Sequence, residues 1–289
     1  GFVSFPDDDE DTDIPKDEDL DAKWHLFQLG FILMNLDSIV HPTIENRKTT
    51  DLLWFPTGGG KTEAYLGLIA FTMALRRLSA NRDPNGRLDE EAYGVTVMMR
   101  YTLRLLTIQQ FQRAAALMCA CEYERRHDLK TWGTMQFNVG LWVGRKTTPN
   151  QLMGKDDYSS AERTLSSWRD PETPPKEHNP VQLLNCPWCG SQLGKKNYTV
   201  YEFKEYLLPN KCRAFCSNSN CFFSQKRMEK PILENQPSGY IWAGETCLPI
   251  LVVDEDIYKW CPSLLIGTVD KFAQLAWSEK TSAIFGTGL

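Results

Sequence analysis

Apolar positions recur at helical spacing from Trp24 to Leu36 and predict a buried helix. Leu52 to Phe55 predicts a short apolar strand. Pro56 to Gly60 follows as a turn with three glycines, and from Glu63 a second helical pattern runs through Leu66, Leu68, Ile69, Phe71 and Leu75 to about Leu78. The polar stretch Ala80 to Gly86 ends it. Val95 to Met99 reads as a buried strand that leads through Arg100 to Gln110 into a long helix reaching about Arg126. Gln136 to Gly144 is another strand, ending in glycine as a parallel strand does where its C-terminal loop approaches a ligand. Later strands are expected before Asp254 and from Ser263 to Thr268. Short apolar strands alternating with long helices predict an α/β fold with a parallel sheet.

Two stretches break this alternation. Arg145 to Pro180 is polar and proline-rich, with one expected helix from Tyr158 to Trp168, and reads as a linker or mobile loop. Residues 1–21 carry ten carboxylates against Lys16 alone, a local charge of −9 within a chain of net −5, so the remainder sums to +4. Such a leader reads as a solvated linker, or as an acidic mimic of DNA that shields a nucleic-acid groove. No apolar run reaches membrane-span length and the start lacks the pattern of a secretion signal, which points to a cytoplasmic protein without membrane contact.

The chemistry begins between the run at Leu52 and the helix at Glu63. A glycine turn between strand and helix lets successive backbone N–H groups and the positive helix end surround a phosphate. Thr57, Gly58, Gly59, Gly60 and Glu63 would form this cradle. The Lys61 ammonium would bridge the β- and γ-phosphates of ATP, and the Thr62 hydroxyl would hold Mg²⁺. The strict Walker spacing is absent, because Phe55 stands where its first glycine belongs.

Nine cysteines, an odd and clustered set, point to reduced thiols and a metal site rather than a disulfide framework. Cys186 and Cys189, followed by Gly190, form a Cys-x-x-Cys knuckle of the kind that opens zinc ribbons. Tyr198 to Leu208 supplies strand-forming residues. Cys216 and Cys221 across the polar turn from Ser217 to Asn220 complete a four-thiolate Zn²⁺ set, with Cys212 as spare or alternative ligand. Between Cys186 and Lys230, eight Lys and Arg residues are interleaved with Trp188, Tyr198, Tyr201, Phe203, Tyr206, Phe215, Phe222 and Phe223. That mixture suits a nucleic-acid grip, and equally the core of a small module.

The run Pro56 to Thr62 is similar to motif I of superfamily 2 helicases. Arg100 to Ala115, Gly140 to Asn150 and Ile266 to Ala273 extend the likeness to the helicase subunit family of DISARM anti-phage defence. The resemblance implies a RecA-like P-loop lobe interrupted by a zinc-ribbon-like β subdomain. The acidic leader would occupy 1–21, the lobe 22–144 and 246–289, the linker 145–180 and the ribbon 181–245. It further implies an adenine contact by Gln28, and phosphate contacts by Thr102 and Arg104 in motif Ia and by Thr268 and Lys271 in motif Ib. Asp254 and Glu255 look like a Walker B pair, but they precede the motif Ib stretch, so the Asp-Glu box of motif II is placed beyond Leu289.

On this reading the chain is most of the first motor lobe of an ATP-dependent DNA helicase or translocase. Lys61 and Thr62 would be its catalytic residues, with ATP, Mg²⁺ and Zn²⁺ as cofactors. DNA, single-stranded or with a single-stranded end, and a DrmB-like partner subunit would be its partners. Alone it is expected to bind ATP weakly and hydrolyse it poorly. The alternatives are a nucleic-acid-stimulated ATPase switch that does not unwind, and a non-enzymatic zinc-containing DNA- or protein-binding module.

Overall fold

A computed structural model describes residues 23–54, 60–84, 86, 88–154, 159–170, 172–202, 209–227, 245–273, 275 and 279–285. The acidic leader, the end of the strand-forming stretch at Phe203 to Leu208, and residues 55–59 lie outside these.

The helix α1 (Leu26–Val40) packs on α2 (Lys61–Ser79), and β1 (Val97–Tyr101) follows. Next come α3 (Arg104–His127), the single turn α4 (Leu129–Trp132) and β2 (Val139–Trp142). Helix α5 (Ala161–Ser167) precedes the short antiparallel pair β3 (Tyr198–Thr199) and β4 (Arg213–Ala214). The chain closes with β5 (Ile250–Leu251), α6 (Asp254–Trp260), β6 (Leu264–Thr268) and α7 (Val269–Ala273).

Four of these strands form one parallel sheet in the order β1-β6-β2-β5. Strands β2 and β6 are buried throughout, as their unbroken apolar sequences require of strands covered on both faces. The period of two divides their side chains. Val139, Leu141, Leu264 and Ile266 join α3 residues Phe111, Ala114, Ala115 and Met118 in the main core, whereas Trp142 and Leu265 turn to Ile257 of α6 on the opposite face. Full burial of each large apolar side chain contributes about 1.5–3 kcal/mol.

The far end of α3 is fastened by charge. Arg125, fully buried, donates to both oxygens of Glu122 at 2.7 and 2.9 Å and to the Thr134 carbonyl at 2.9 Å, while Glu122 also accepts the Phe137 N–H at 2.5 Å. The turn leading into β2 is thereby tied to the helix.

Several expectations change. The α1 helix is longer than expected and half-buried or exposed rather than buried, apart from Gln28. Leu26, Leu33 and Met34 are open to solvent, and Gln28 alone is buried, so helical periodicity here does not mark a core face. Leu52 to Trp54 form no strand; Leu52 and Trp54 are 85% and 87% exposed, and an apolar run without an adjacent strand to bond has no sheet to join. The strand expected from Val95 begins two residues later, because Thr96 and Val97 both donate their N–H groups to the Ser263 carbonyl at the strand entry. The stretch expected as a linker is packed, with Leu152, Ala161, Leu165 and Trp168 in the main core beside the cysteine-rich segment.

Candidate functional site

Gly60 ends the expected phosphate loop. Its φ of +83° is left-handed, and it caps α2, so Lys61 and Thr62 occupy the first helical turn, where backbone N–H groups lack intrahelical partners. A Cβ on Gly60 would stand 2.6 Å from the Gln28 amide nitrogen. That nitrogen donates to the Gly60 carbonyl at 2.7 Å, and the Gln28 amide oxygen accepts the His25 N–H at 2.7 Å. Gln28 is thus committed to fastening α1 to the loop, and an adenine contact would require it to release these bonds. Glu63 pairs with Arg113 of α3, joining the loop to the second helix. Thr57, Gly58 and Gly59 lie outside the described residues. With Lys61 and Thr62 side by side behind a positive-φ glycine at the head of a 19-residue helix, this portion fits a phosphate and its cation.

The residues read above as motifs Ia and Ib, 164 positions apart from Arg104 to Thr268, meet in space. Thr102, Arg104, Gly144, Thr268, Asp270 and Lys271 line one cavity of about 290 Å³. The register aligns Tyr101 with Thr268 and Trp142 with Gly267, so the cavity sits beyond the C-terminal ends of three adjacent parallel strands, at the start of α3. Such a place collects strand-end loops and unpaired helix N–H groups. Arg104 and Thr102 are exposed to it.

Lys271 is held differently. It is 7% exposed, its ammonium pairs with the Asp254 carboxylate, and it lies 5.6 Å from the centre of the Trp142 ring. Burial raises the Asp254 pKa, with Lys271 opposing the rise. Sequence reasoning named no role for Asp270 and weighed Asp254 only as half of a Walker B look-alike; the need of a buried lysine for a counter-ion was the signal available for its place beside Lys271. Glu255 accepts the Leu152 N–H at 2.8 Å. Both acids of the Walker B look-alike are therefore bonded within the fold, in the first turn of α6, which follows β5, the strand two positions away from β6 in the sheet order.

The four chosen cysteines converge. The Sγ atoms of Cys186, Cys189, Cys216 and Cys221 all lie within 4.8 Å of one another, with Cys189 and Cys216 at 3.4 Å and Cys186 and Cys221 at 3.9 Å. Tetrahedral zinc with Zn–S bonds near 2.3 Å sets its sulfurs about 3.8 Å apart, so the set can hold such an ion. Each half is shaped by its turn. The Cys186 N–H bonds the Ser191 carbonyl at 2.8 Å and Gly190 N–H bonds the Cys186 carbonyl at 2.9 Å, while Cys216 N–H bonds the Phe223 carbonyl at 2.9 Å. Hydrogen bonding from Cys186 lowers the Cys189 pKa, and the same contact raises that of Cys186. Such mutual opposition ends when a cation takes all four as thiolates. Cys212 is elsewhere, buried beside Asp256, and burial raises its pKa.

The aromatics of this segment serve mainly as core. Trp188 stacks on Tyr123 of α3, Phe222 lies 5.1 Å from the same ring, and Tyr198, Phe215 and Phe223 are buried. Lys211 and Arg213 are buried too. Arg213 bonds Glu245 at 2.5 Å, and Lys211 donates to the Gln136 amide oxygen at 3.2 Å.

No protein-family profile matches the chain. Over 284 residues it is 40% identical to DISARM protein DrmA of Bacillus paralicheniformis. The chain is a close relative of part of DrmA. The alignment takes in 96% of this chain and 22% of DrmA, so the chain spans about a fifth of the length of that relative. So little of the chain falls outside the match that the aligned span takes in the glycine loop before α2, the strand-end cavity and the cysteine cluster together. Among the described residues no helix is long and apolar enough to cross a membrane.

Proposed function

We propose that the chain belongs to the first motor lobe of an ATP-dependent superfamily 2 DNA helicase or translocase acting in cytoplasmic anti-phage defence. The observation that carries this reading is the meeting of Thr102 and Arg104 with Thr268 in one cavity at parallel strand ends. The likeness to a protein named as a DISARM component supplies the setting.

In this reading Lys61 and Thr62 hold the nucleotide phosphates and Mg²⁺, whose bound triphosphate supplies the free energy of hydrolysis. Arg104, Thr102, Thr268 and the first N–H groups of α3 take phosphates of one DNA strand. Lys271 stays paired with Asp254 and sets the position of the strand-end turn beside them. Cys186, Cys189, Cys216 and Cys221 hold Zn²⁺, which cross-links the two turns of the ribbon. A second lobe and a partner subunit of the defence complex complete the motor.

The deciding experiment is ATP turnover by the full-length protein, wild type against Lys61→Ala, with single-stranded DNA, duplex DNA and RNA. Turnover stimulated by DNA and abolished by the substitution is expected. Turnover without strand separation in an unwinding assay would indicate a switch. Absence of turnover in the wild type would leave a zinc-bearing binding module.

A further inference from the structure

Helix α5 and the residue Tyr201 enclose a second cavity, of about 630 Å³, that shares no residue with the one at the strand ends. Glu162, Arg163, Ser166, Ser167, Arg169 and Tyr201 are among the residues that line it. Residues three and four apart lie on one helix face, so Arg163, Ser166 and Ser167 present themselves together.

Three features distinguish this place from an ordinary surface hollow. The Tyr201 ring is 53% exposed, yet its hydroxyl donates to Glu162 at 3.2 Å, which fixes how the ring is presented. Among the described residues that line the cavity, two guanidinium groups stand against the one carboxylate of Glu162. Arg169 is exposed and makes no hydrogen bond or ion pair among the described residues. The Ser166 and Ser167 hydroxyls donate back to the Arg163 and Thr164 carbonyls at 3.0 and 3.3 Å, which leaves their oxygen lone pairs for water or a ligand donor. The volume falls within the range of small-ligand sites, enough for a nucleotide unit.

We infer that this cavity is a second contact for single-stranded nucleic acid, with backbone phosphates on Arg163 and Arg169 and a base stacked on Tyr201. The inference rests on the nucleic-acid reading above and assigns it a place on the polar segment between lobe and ribbon. A fixed aromatic face beside paired cations suits an unpaired strand, since stacking needs a base freed from its partner and accepts any base. An acidic peptide would use the arginines and leave the ring idle.

The test is fluorescence anisotropy of the protein with a labelled oligothymidylate over a salt series. Arg163→Ala with Arg169→Ala should lower the slope of log affinity against log salt by about 1 to 1.5, as expected for two lost phosphate contacts on a single strand. Tyr201→Leu should weaken binding about tenfold. Tyr201→Phe loses the bond to Glu162 but keeps the ring, and should bind somewhat more weakly than wild type and more tightly than Tyr201→Leu. If the arginine pair and Tyr201→Leu bind like wild type while Thr102→Ala with Arg104→Ala weakens binding, this cavity is not a contact and the nucleic-acid reading survives. If Tyr201→Phe loses as much affinity as Tyr201→Leu and melts earlier, the residue is structural and the inference fails. Wild type that binds no oligonucleotide at all overturns both readings.

Discussion

Tyr123, near the end of α3, and Trp188, between the first two cysteines of the ribbon, stack with ring centroids 5.2 Å apart and planes 19° from parallel. His127 and Phe222 extend the group, and the Arg126 guanidinium lies 4.7 Å from the Phe222 ring centre. The ribbon is therefore seated on the helix by aromatic packing. Trp188→Ala should destabilise the protein by about 2–4 kcal/mol, and Trp188→Phe by less, because a smaller ring still covers Tyr123. Denaturant titration of both variants checks the ranking; equal losses would show that shape at this contact matters little.

The cysteine geometry makes a separate statement about stoichiometry. Wild type and Cys212→Ser should each carry one equivalent of zinc by elemental analysis, since Cys212 lies outside the cluster. Cys221→Ser should lose most of it, and a chelator should lower the melting temperature of wild type and Cys212→Ser alike. Zinc retained by Cys221→Ser but lost by Cys212→Ser would reverse the ligand assignment.

Asp256 gives stability a pH dependence. It is fully buried, with one oxygen accepting the Cys212 N–H at 2.9 Å and the other lacking a hydrogen bond. Burial pushes its pKa from 3.8 up to about 7, with Glu255 adding to the rise and the Cys212 N–H, Lys211 and Arg213 opposing it. Between those values the folded protein keeps a proton that the unfolded chain releases. The stabilisation is complete below about pH 4 and is lost as the pH climbs toward 7, roughly 4 kcal/mol in all. Asp256→Asn, which keeps an oxygen for the Cys212 N–H, should flatten this decline in denaturant midpoints measured from pH 5 to 8. A parallel decline in wild type and variant would assign it to other groups.

Lys271→Met should cost about 3–5 kcal/mol, because it leaves the Asp254 carboxylate buried without its cation. Adding Asp254→Asn to Lys271→Met should recover part of that loss. A double-mutant cycle from unfolding free energies reads the coupling directly; additive losses would mean that the pair does not act as a unit.

Legibility in the sequence followed how local the cause was. Cys186 and Cys189 announce themselves because their spacing is the metal geometry, and the Ser217 to Asn220 turn singles out Cys216 and Cys221 over Cys212. Strands β2 and β6 were readable because a strand covered on both faces must be apolar throughout. The partners of Gln28 were not readable. Its bonds to His25 and Gly60 depend on where α1 settles against α2, and the same docking leaves Leu26 and Met34 in solvent despite their helical spacing. The cavity residues were proposed separately in two motifs, but only the pairing of β1 with β6 brings them to one place, and the Asp254 partner of Lys271 arrives from a third element. Leu52 to Trp54 had the composition of a strand but gained no neighbour to bond.

Helix α3 touches all three places of interest. Arg104 at its head lines the strand-end cavity, Arg113 grips Glu63 beside the glycine loop, and Tyr123 carries the ribbon. At 1.5 Å per residue its 24 residues make a beam about 36 Å long. A beam held at head, middle and tail shares its slack: loosening the tail by disrupting the cysteine cluster would let the head wander, and order at Arg104 would then depend on four sulfurs a helix length away.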